Sequence, residues 1–562
     1  MPLTSASSRP WWHTAVVYQV YPRSFADGNG DGIGDLPGLI DRLDHIAALG
    51  ADVVWVCPFY PSPQADNGYD VRDYCGVDPL FGTVADVDRL IAALHRRGMR
   101  LVIDVVVNHT SDEHPWFVAS RESRGDPRRD WYVWRPPRAG LALGAPGAEP
   151  TDWVSFFGGS TWEPDERTGE YYLHLFHPKQ PDLNWDNPVV RAEVRDVLRW
   201  WLDRGVDGFR FDVINLVSKW YAADGAQGGG FVNGPRVHEY LHEMAQVWAG
   251  RQPAVLAIGE TPRASVEDAR RYTDPARGEL DMVFQFEHMH VDHGPGGRFD
   301  LAPMDLVAFK AVMARWQEGL SQVGWNSLYW GNHDQPRPVS RFGDDRPAYR
   351  VASAKALATV LHLHRGTPFV YQGEELGMAN HPFTAVEQID DVESRRWADG
   401  ARRRGMDETA VLASLNRRSR DHARTPMPWD AGPAAGFTTG RPWLPLNPDA
   451  GQVNAAAQVG IAGSVFEHYR ALVALRKALP VLVDGDFTLL APEHPSGYAF
   501  LRRSAGDALL VAANLSSDEI ELPLPEMWAD APVVLGSGMP GVPPGRGPWG
   551  RLGPWEAWVR RR

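Results

Sequence analysis

Eight short apolar segments, each typical of a buried strand, recur through the N-terminal two thirds of the chain. Between the first of them, residues 36–50 and 86–99 have the spacing of apolar residues that predicts amphipathic helices. Strands that alternate with helices favour a parallel sheet, and eight such strands favour a (β/α)8 TIM barrel. The eight segments are residues 15–21, 51–58, 100–107, 206–212, 254–260, 281–287, 326–330 and 367–373.

Two departures from this alternation predict further domains. About 95 residues separate the third and fourth predicted strands, where most βα loops need only a few. We therefore expect a barrel of residues 1–107 and 183–478, with an inserted subdomain B at residues 108–182. After a helix at 464–480 the pattern changes to short alternating strands, which predicts a C-terminal antiparallel β-sandwich domain at residues 479–562.

Composition excludes several classes of function. The formal net charge of −14 repels phosphate backbones, so we expect no nucleic-acid partner. No run of about 18 apolar residues predicts a membrane helix. The N-terminus lacks a basic start followed by an apolar core, so we expect a cytoplasmic protein. As a separate expectation, the protein is either a monomer or a homodimer. The two cysteines, Cys57 and Cys75, are too few for a disulfide framework and are expected to be reduced thiols.

Acidic residues end three of the predicted strands. Asp212 closes the fourth strand, Glu260 closes the fifth, and Asp334 follows the seventh. The carboxyl ends of all barrel strands meet at one face, where the active sites of such barrels lie. Each residue alone could be part of a structural ion pair, a helix cap or a polar loop. Together they favour an active site that contains three carboxylates.

The neighbours of these carboxylates predict two different protonation states. Arg210 is two residues from Asp212 on the same face of the strand, so we expect a lowered pKa for Asp212. Glu260 ends an apolar strand, so we expect a raised pKa. One ionised and one protonated carboxyl group are what glycoside cleavage requires.

Several motifs resemble those of a known family. Residues 104–110 (DVVVNHT), 208–215 (GFRFDVIN), 258–260 (IGE) and 331–337 (GNHDQPR) resemble the four signature regions of the α-amylase family of glycoside hydrolases, family 13. Residues 180–184 (QPDLN) resemble its fifth region in the form seen in oligo-1,6-glucosidases and other α-glucosidases. The resemblance covers essentially the whole chain. It implies a retaining, exo-acting α-glucosidase that acts on small oligosaccharides or disaccharides without an organic cofactor.

The resemblance also implies roles for individual residues. Asp212 is expected to be the nucleophile, Glu260 the general acid/base and Asp334 the stabiliser of the transition state. Asp70 and Arg424 are expected to close the blind end of the pocket over the non-reducing glucose. The full set of expected sugar-binding residues is Asp70, His109, Phe157, Phe176, Gln180, Arg210, His333 and Arg424.

The resemblance leaves open which glycosidic bond the enzyme cuts. Val213 follows the nucleophile, and a valine there resembles enzymes that cut α-1,6 links. A sucrose isomerase, an α-glucosyltransferase and a broad maltase or sucrase remain alternatives. Residues 290–306 lack the arginine-rich loop of sucrose isomerases, so hydrolysis is favoured. A non-enzymatic relative, the ectodomain of amino-acid transporter heavy chains, is disfavoured because those chains carry a membrane helix and lack parts of the catalytic set.

A loop after the first strand, residues 27–38, has the spacing of a cation site. The oxygens of Asp27, Asn29, Asp31 and Asp35, with the carbonyl of Ile33, could surround a hard cation. The alternative is a solvated turn. The resemblance favours a structural Ca2+ or Mg2+ ion that does not contact the substrate.

Overall fold

A computed structural model describes residues 9–221, 230–538, 544–545 and 548–562 of the protein. Its centre is a barrel of eight parallel strands, one from each of the eight predicted segments. In chain order they are Val17–Val20, Val53–Val56, Arg100–Val105, Gly208–Phe211, Leu256–Glu260, Met282–Phe284, Ser327–Leu328 and Thr367–Tyr371. The prediction of a TIM barrel is confirmed.

The register of the strands closes the barrel. Val17 on the first strand is paired with Val53 on the second and with Phe369 on the eighth. A single parallel bridge between Val283 and Asn326 joins the sixth strand to the seventh. Because all eight strands are parallel, their carboxyl ends surround one opening.

Helices cover the outside of the barrel. The longest, Pro188–Arg204, shows how the sequence sets the ends of a helix: Asn187 accepts a hydrogen bond from the backbone N–H of Val189, and Gly205 stops the helix at a φ of 106°. The α-helices are Leu36–Asp41, Leu43–Leu49, Val84–Arg96, Pro115–Glu122, Pro188–Arg204, Val237–Ala245, Val266–Thr273, Leu306–Gly319, Pro338–Arg341, Arg350–His362, Val392–Arg403, Glu408–Arg418, Asp421–Arg424, Val465–Ala478 and Val481–Asp484. None of the helices in the described ranges is long and apolar enough to cross a membrane.

A small antiparallel sheet lies in the long stretch between the third and fourth barrel strands. It consists of Trp134–Arg135, Glu170–Leu173 and Trp162–Asp165, in that spatial order. Isolated bridges from His109 to Asp182 and from Tyr132 to Leu183 join the two ends of this stretch. They fix the sheet above the opening of the barrel. The exact boundaries of the inserted subdomain and of the other domains stay predictions.

The C-terminal part contains the predicted antiparallel strands. Its five-stranded sheet has the order Asp486–Leu490, Gly497–Ser504, Asp507–Asn514, Ala557–Arg561 and Val533–Ser537, and a second sheet pairs Ile520–Glu521 with Arg551–Leu552. Alternate residues of one strand face opposite sides: Phe500 joins the core shared with the barrel, and Leu501 joins a separate core with Leu522. The three central strands of the sheet are therefore buried on both faces, whereas its two outer strands are largely exposed or half-buried.

A buried lysine links this sheet to the barrel. Lys310, on the barrel helix Leu306–Gly319, has no exposed surface. Its ammonium group donates hydrogen bonds to the carbonyl oxygens of Ala491, His494 and Gly497 at 2.9, 2.7 and 3.1 Å. All three donor positions of the lysine are thus used across the contact between the two domains.

Replacing Lys310 with methionine should destabilise the protein, because three carbonyl groups lose their donor inside a buried contact. We expect the free energy of unfolding to fall by about 2–3 kcal/mol. The measurement is unfolding in urea. Lys477→Met is the control, since Lys477 contacts Gly50 and Asp52 from an exposed position and should change stability by about 0.5 kcal/mol. Equal effects of the two substitutions would contradict this role of Lys310.

Candidate active site

A cavity of about 490 Å3 opens at the carboxyl ends of the barrel strands, below the inserted sheet. All three predicted catalytic carboxylates line it, from three different strands or the loops that follow them. The lining residues are Asp66, Tyr69, His109, Phe156, Phe157, Phe176, Gln180, Asp212, Val213, Glu260, Pro262, Arg263, Phe286, Met289, His290, His293, Gly297, Arg298, Asp334, Gln335, Glu393 and Arg420.

One buried cation joins the carboxylates at the floor of this cavity. The guanidinium group of Arg210 lies 2.5 Å from Asp104, 2.7 Å from Asp212 and 2.7 Å from Glu260. The remaining oxygen of Asp104 accepts hydrogen bonds from Trp55 at 2.9 Å and from Tyr69 at 3.2 Å. Arg210 therefore fixes Asp212 and Glu260 relative to each other.

The pKa values of the two carboxyl groups are set mainly by burial. Burial raises the pKa of Asp212 to about 6, although Arg210 opposes the increase. The prediction of a lowered pKa for Asp212 is wrong, because the effect of removing the carboxyl group from water outweighs the attraction of the adjacent arginine. Burial raises the pKa of Glu260 to about 7, as predicted in direction, and the charges of Asp212 and Asp334 add to the increase. Asp212 is still the stronger acid of the two.

Asp334 has the opposite electrostatic environment. Burial alone would raise its pKa, but His333, Arg420 and Arg424 together hold that pKa well below the usual range. The ring of His333 lies 3.1 Å from the Asp334 carboxylate, which raises the pKa of the histidine to about 10 against the effect of burial. At neutral pH this pair is a carboxylate beside an imidazolium, so Asp334 presents a permanent negative charge to the cavity.

The blind end of the cavity is closed by a different pair from the one predicted. Arg420 lies 3.0 Å from Asp66 and 3.2 Å from Asp334, and both Asp66 and Arg420 line the cavity. Asp70 is fully buried behind this wall, where its carboxylate accepts hydrogen bonds from the backbone N–H groups of Ala65 and Asp66. The predicted placement of Asp70 on the wall is therefore wrong.

Arg424 also lies one layer behind the cavity. Its guanidinium group contacts Asp334 at 2.9 Å and the carbonyl oxygen of His333 at 3.1 Å. It therefore supports Asp334 from behind, which corrects its predicted place at the blind end. His333 is likewise fully buried, held by Gln19 at 2.8 Å and stacked on Tyr69.

The remaining predicted residues are brought together. Gln180 and His109 are buried side by side, 3.2 Å apart, and Gln180 also donates to Asp66 at 3.2 Å. Burial lowers the pKa of His109, which keeps this ring neutral. The rings of Phe157 and Phe176 meet edge to face and cover the same side of the cavity. This wall combines neutral hydrogen-bonding groups with apolar rings, a composition that suits an uncharged sugar.

Val213 has an unusual backbone for a β-branched residue. Its φ of 36° and ψ of 41° lie in the left-handed region, which costs such a residue on the order of 1–3 kcal/mol. In this conformation its backbone N–H donates to the Glu260 carboxylate at 3.2 Å. The residue thus both lines the cavity and holds the predicted acid.

Sequence reasoning missed several lining residues, and the reason differs between them. Asp66 lies four positions before Asp70, and Arg420 lies four positions before Arg424, the two residues predicted for the blind end. Only the folded loops distinguish the two members of each motif. Arg298 lies on the short strand Gly297–Leu301 and Glu393 in the first turn of the helix Val392–Arg403, and the two meet at 3.0 Å across the opening. No local feature of the sequence indicates that contact.

Comparisons with known proteins agree with this architecture. A family model described as the α-amylase catalytic domain matches residues 19–485, and a model of the maltogenic amylase C-terminal domain matches residues 487–556. An oligo-1,6-glucosidase from Halalkalibacterium halodurans is 48% identical over 98% of this chain and 99% of its own length. An oligo-1,6-glucosidase from Parageobacillus thermoglucosidasius is 49% identical over 92% of both chains. The crystal structure of a trehalulose synthase from Pseudomonas mesoacidophila superposes with a TM-score of 0.91 at 41% identity, covering 99% of this chain and all of the other.

The carboxylate network predicts how activity depends on pH. The rate constant kcat/KM should rise as Asp212 ionises, near pH 6, and fall as Glu260 loses its proton, near pH 7. Because both groups contact Arg210, the two midpoints belong to the pair. Asp104 raises the pKa of Asp212, so Asp104→Asn should move the acidic limb to lower pH. The measurement is the pH profile of kcat/KM.

Asp165→Asn is the control for this shift, because Asp165 is a buried carboxylate that pairs with Arg121 in the inserted sheet. That variant should keep both limbs where they are in the wild type. An acidic limb that stays in place in Asp104→Asn would contradict the electrostatic coupling of Asp104 to Asp212.

Proposed function

The chain belongs to the α-amylase family of glycoside hydrolases, and we propose that it is a retaining, exo-acting α-glucosidase that prefers α-1,6 links in short oligosaccharides. The observation that carries this proposal is the cavity at the carboxyl ends of the strands, in which Asp212 and Glu260 share Arg210. One wall of that cavity, at Asp66 and Arg420, is closed.

Each carboxyl group has a distinct task in the proposed reaction. The carboxylate of Asp212 attacks the anomeric carbon of the bound glucose while Glu260 gives its proton to the leaving oxygen, which produces a covalent glucosyl-enzyme. The Glu260 carboxylate then takes a proton from water, and that water releases glucose with retained α configuration. The order of the two pKa values, about 6 and about 7, supports this division.

The closed wall supports exo action. The ion pair between Asp66 and Arg420, together with buried Gln180 and His109, leaves no path for a chain beyond the first sugar. These groups can accept and donate hydrogen bonds to the hydroxyl groups of a terminal glucose. The negative charge of Asp334 would stabilise the positive charge that develops on the sugar ring.

The preference for α-1,6 links rests on Val213 and on the names of the relatives. Val213 lines the cavity beside Glu260, where the leaving group must lie. Sucrose isomerisation is the second candidate, since solved neighbours include trehalulose synthases with a TM-score near 0.9. The segment at residues 290–306, which lacks the arginine-rich sequence of sucrose isomerases, favours hydrolysis.

A panel of isomaltose, maltose and sucrose tests the proposal. We expect kcat/KM to be highest for isomaltose, and we expect glucose to appear first as the α anomer when proton NMR follows the reaction. Val213→Thr should lower the ratio of isomaltose to maltose hydrolysis by about 10-fold or more, a size typical of small changes in pocket shape. Asp212→Asn should abolish hydrolysis of all three sugars.

Three results would overturn the assignment. Full activity of Asp212→Asn would remove the proposed nucleophile. Initial release of β-glucose would exclude a retaining mechanism. Conversion of sucrose mainly to an isomeric disaccharide would favour the isomerase.

We further propose that the loop Asp27–Asp35 holds a structural Ca2+ or Mg2+ ion. Burial and the nearby charges of Asp27 and Asp31 raise the pKa of Asp35, and no described lysine or arginine lies within 4 Å of these three carboxylates. Asp, Glu, His and Cys side chains alone form no metal-sized group in the described ranges. The proposed ligand set therefore depends also on the side chain of Asn29 and the carbonyl of Ile33.

Chelation tests this site through stability. EDTA should lower the melting temperature of the wild type by several degrees, and added Ca2+ or Mg2+ should restore it, because a ligand of the folded state stabilises that state. Asp31→Asn should melt at a lower temperature and respond less to EDTA. Identical melting of the wild type with and without EDTA would rule out the ion.

A further inference from the structure

A second recess adjoins the active-site cavity, and its lining includes four arginines. We propose that this recess binds a phosphate or carboxylate group on the leaving part of the substrate, so that the enzyme also hydrolyses α-glucosides with an anionic leaving group. The proposal rests on the proposed α-glucosidase function and adds a substrate class to it. We call the feature the arginine recess and define it by Arg298, Arg396, Arg403, Arg404 and the Gly158–Gly159 turn.

The arginine recess is large enough for a charged substituent. Its volume is about 620 Å3, and it lies between the loop at Gly158–Gly159 and the helix Val392–Arg403. Both glycines have a φ of 80°, and added side-chain carbon atoms would meet almost nothing: none within 4 Å at Gly158, and only Arg396, at 3.9 Å, at Gly159. The turn therefore forms an open side of the recess.

The charges in the arginine recess are unbalanced. Arg298 is paired with Glu393 at 3.0 Å, and Asp399, which also lines the recess, is paired with Arg402 at 3.3 Å. Within the described residues, no carboxylate lies within 4 Å of the guanidinium groups of Arg396, Arg403 and Arg404. Three arginines thus form no ion pair within the described residues, although the charge of Glu163 acts on Arg396, in a protein whose formal net charge is −14.

Two details show that these arginines converge. The Nη1 atom of Arg396 is buried and has no hydrogen-bond partner in the described structure, a costly arrangement for a charged group. A carbon atom added to Gly400 would lie 3.2 Å from Nη1 of Arg404 and 4.0 Å from Nη2 of Arg403. Arg403 and Arg404 therefore fold over the same point of the helix. Forked guanidinium groups match the oxygens of phosphates and carboxylates.

The recess is continuous with the open end of the active site. Phe156, Phe157, Arg298 and Glu393 line both cavities. The opposite end is closed at Asp66, so the glucose held there cannot reach the recess. The part of the substrate that extends towards Arg298 is the leaving group. An anionic substituent on that part would meet the unpaired arginines.

The test compares substrates that differ in one charge. Isomaltose is the neutral substrate, its aldonic acid (glucosyl-1,6-gluconate) carries a carboxylate, and isomaltose 1-phosphate carries a phosphate. We expect the KM of at least one anionic substrate to be about tenfold or more below that of isomaltose, as for a charge-assisted contact. The advantage should shrink between 50 mM and 500 mM salt, because part of the recess is exposed to solvent.

Variants locate the effect. Arg396→Gln should raise the KM for the favoured anion towards that of isomaltose and leave isomaltose hydrolysis within about twofold of the wild type. The combined change of Arg403 and Arg404 to Gln should act in the same direction. Arg417→Gln is the matched control, since Arg417 is exposed, does not line the recess and forms no ion pair with a described residue. It should keep the full advantage of the anion.

The outcomes separate this proposal from the proposed function. Preference for only one of the two anions would identify the substituent as phosphate or carboxylate. If isomaltose is hydrolysed efficiently and neither anionic substrate has a lower KM, the proposal for the arginine recess is wrong. The proposed α-glucosidase function is not contradicted by that result. If the KM of the anionic substrate stays below that of isomaltose in Arg396→Gln and in the double variant, the proposal for the arginine recess is also wrong. Failure to hydrolyse any of the three substrates would contradict the proposed function itself.

Discussion

A single buried guanidinium group determines how the active site is built. Arg210 contacts Asp104, Asp212 and Glu260 at the floor of the active-site cavity. Without it, three carboxylates would be crowded together in a region from which water is largely removed, and repulsion would keep some of them protonated or apart. With it, Asp212 and Glu260 are held close to each other, with pKa values of about 6 and about 7. The fold serves this contact by bringing neighbouring strand ends together.

A second network of opposite charges shapes the other end of the cavity. Arg420 connects Asp66 to Asp334, and Arg424 supports Asp334 from behind. His333 and these arginines keep Asp334 ionised, whereas Asp212 and Glu260 share their one cation with a third carboxylate. Three acidic side chains around one cavity therefore differ in protonation because they differ in the number of cations that each contacts.

The sequence predicted the barrel because the repeated alternation of strand and helix is a local pattern with few topological solutions. It predicted Asp212, Glu260 and Asp334 because each stands at or just after a strand end, and strand ends have fixed places. It failed where position depends on how a loop folds, as in the choice of Asp70 over Asp66. It also failed for the pKa of Asp212, because an adjacent arginine is visible in the sequence and the depth of burial is not.

The left-handed backbone of Val213 has a consequence for how such an enzyme can change over evolutionary time. The residue that touches the leaving group also holds Glu260 through its N–H, in a conformation that glycine or asparagine would adopt with less strain. Selection for a new bond preference at this position therefore acts at once on backbone strain and on the orientation of the proton donor. Substrate range, turnover and stability cannot drift independently here, which narrows the set of replacements that a lineage can tolerate.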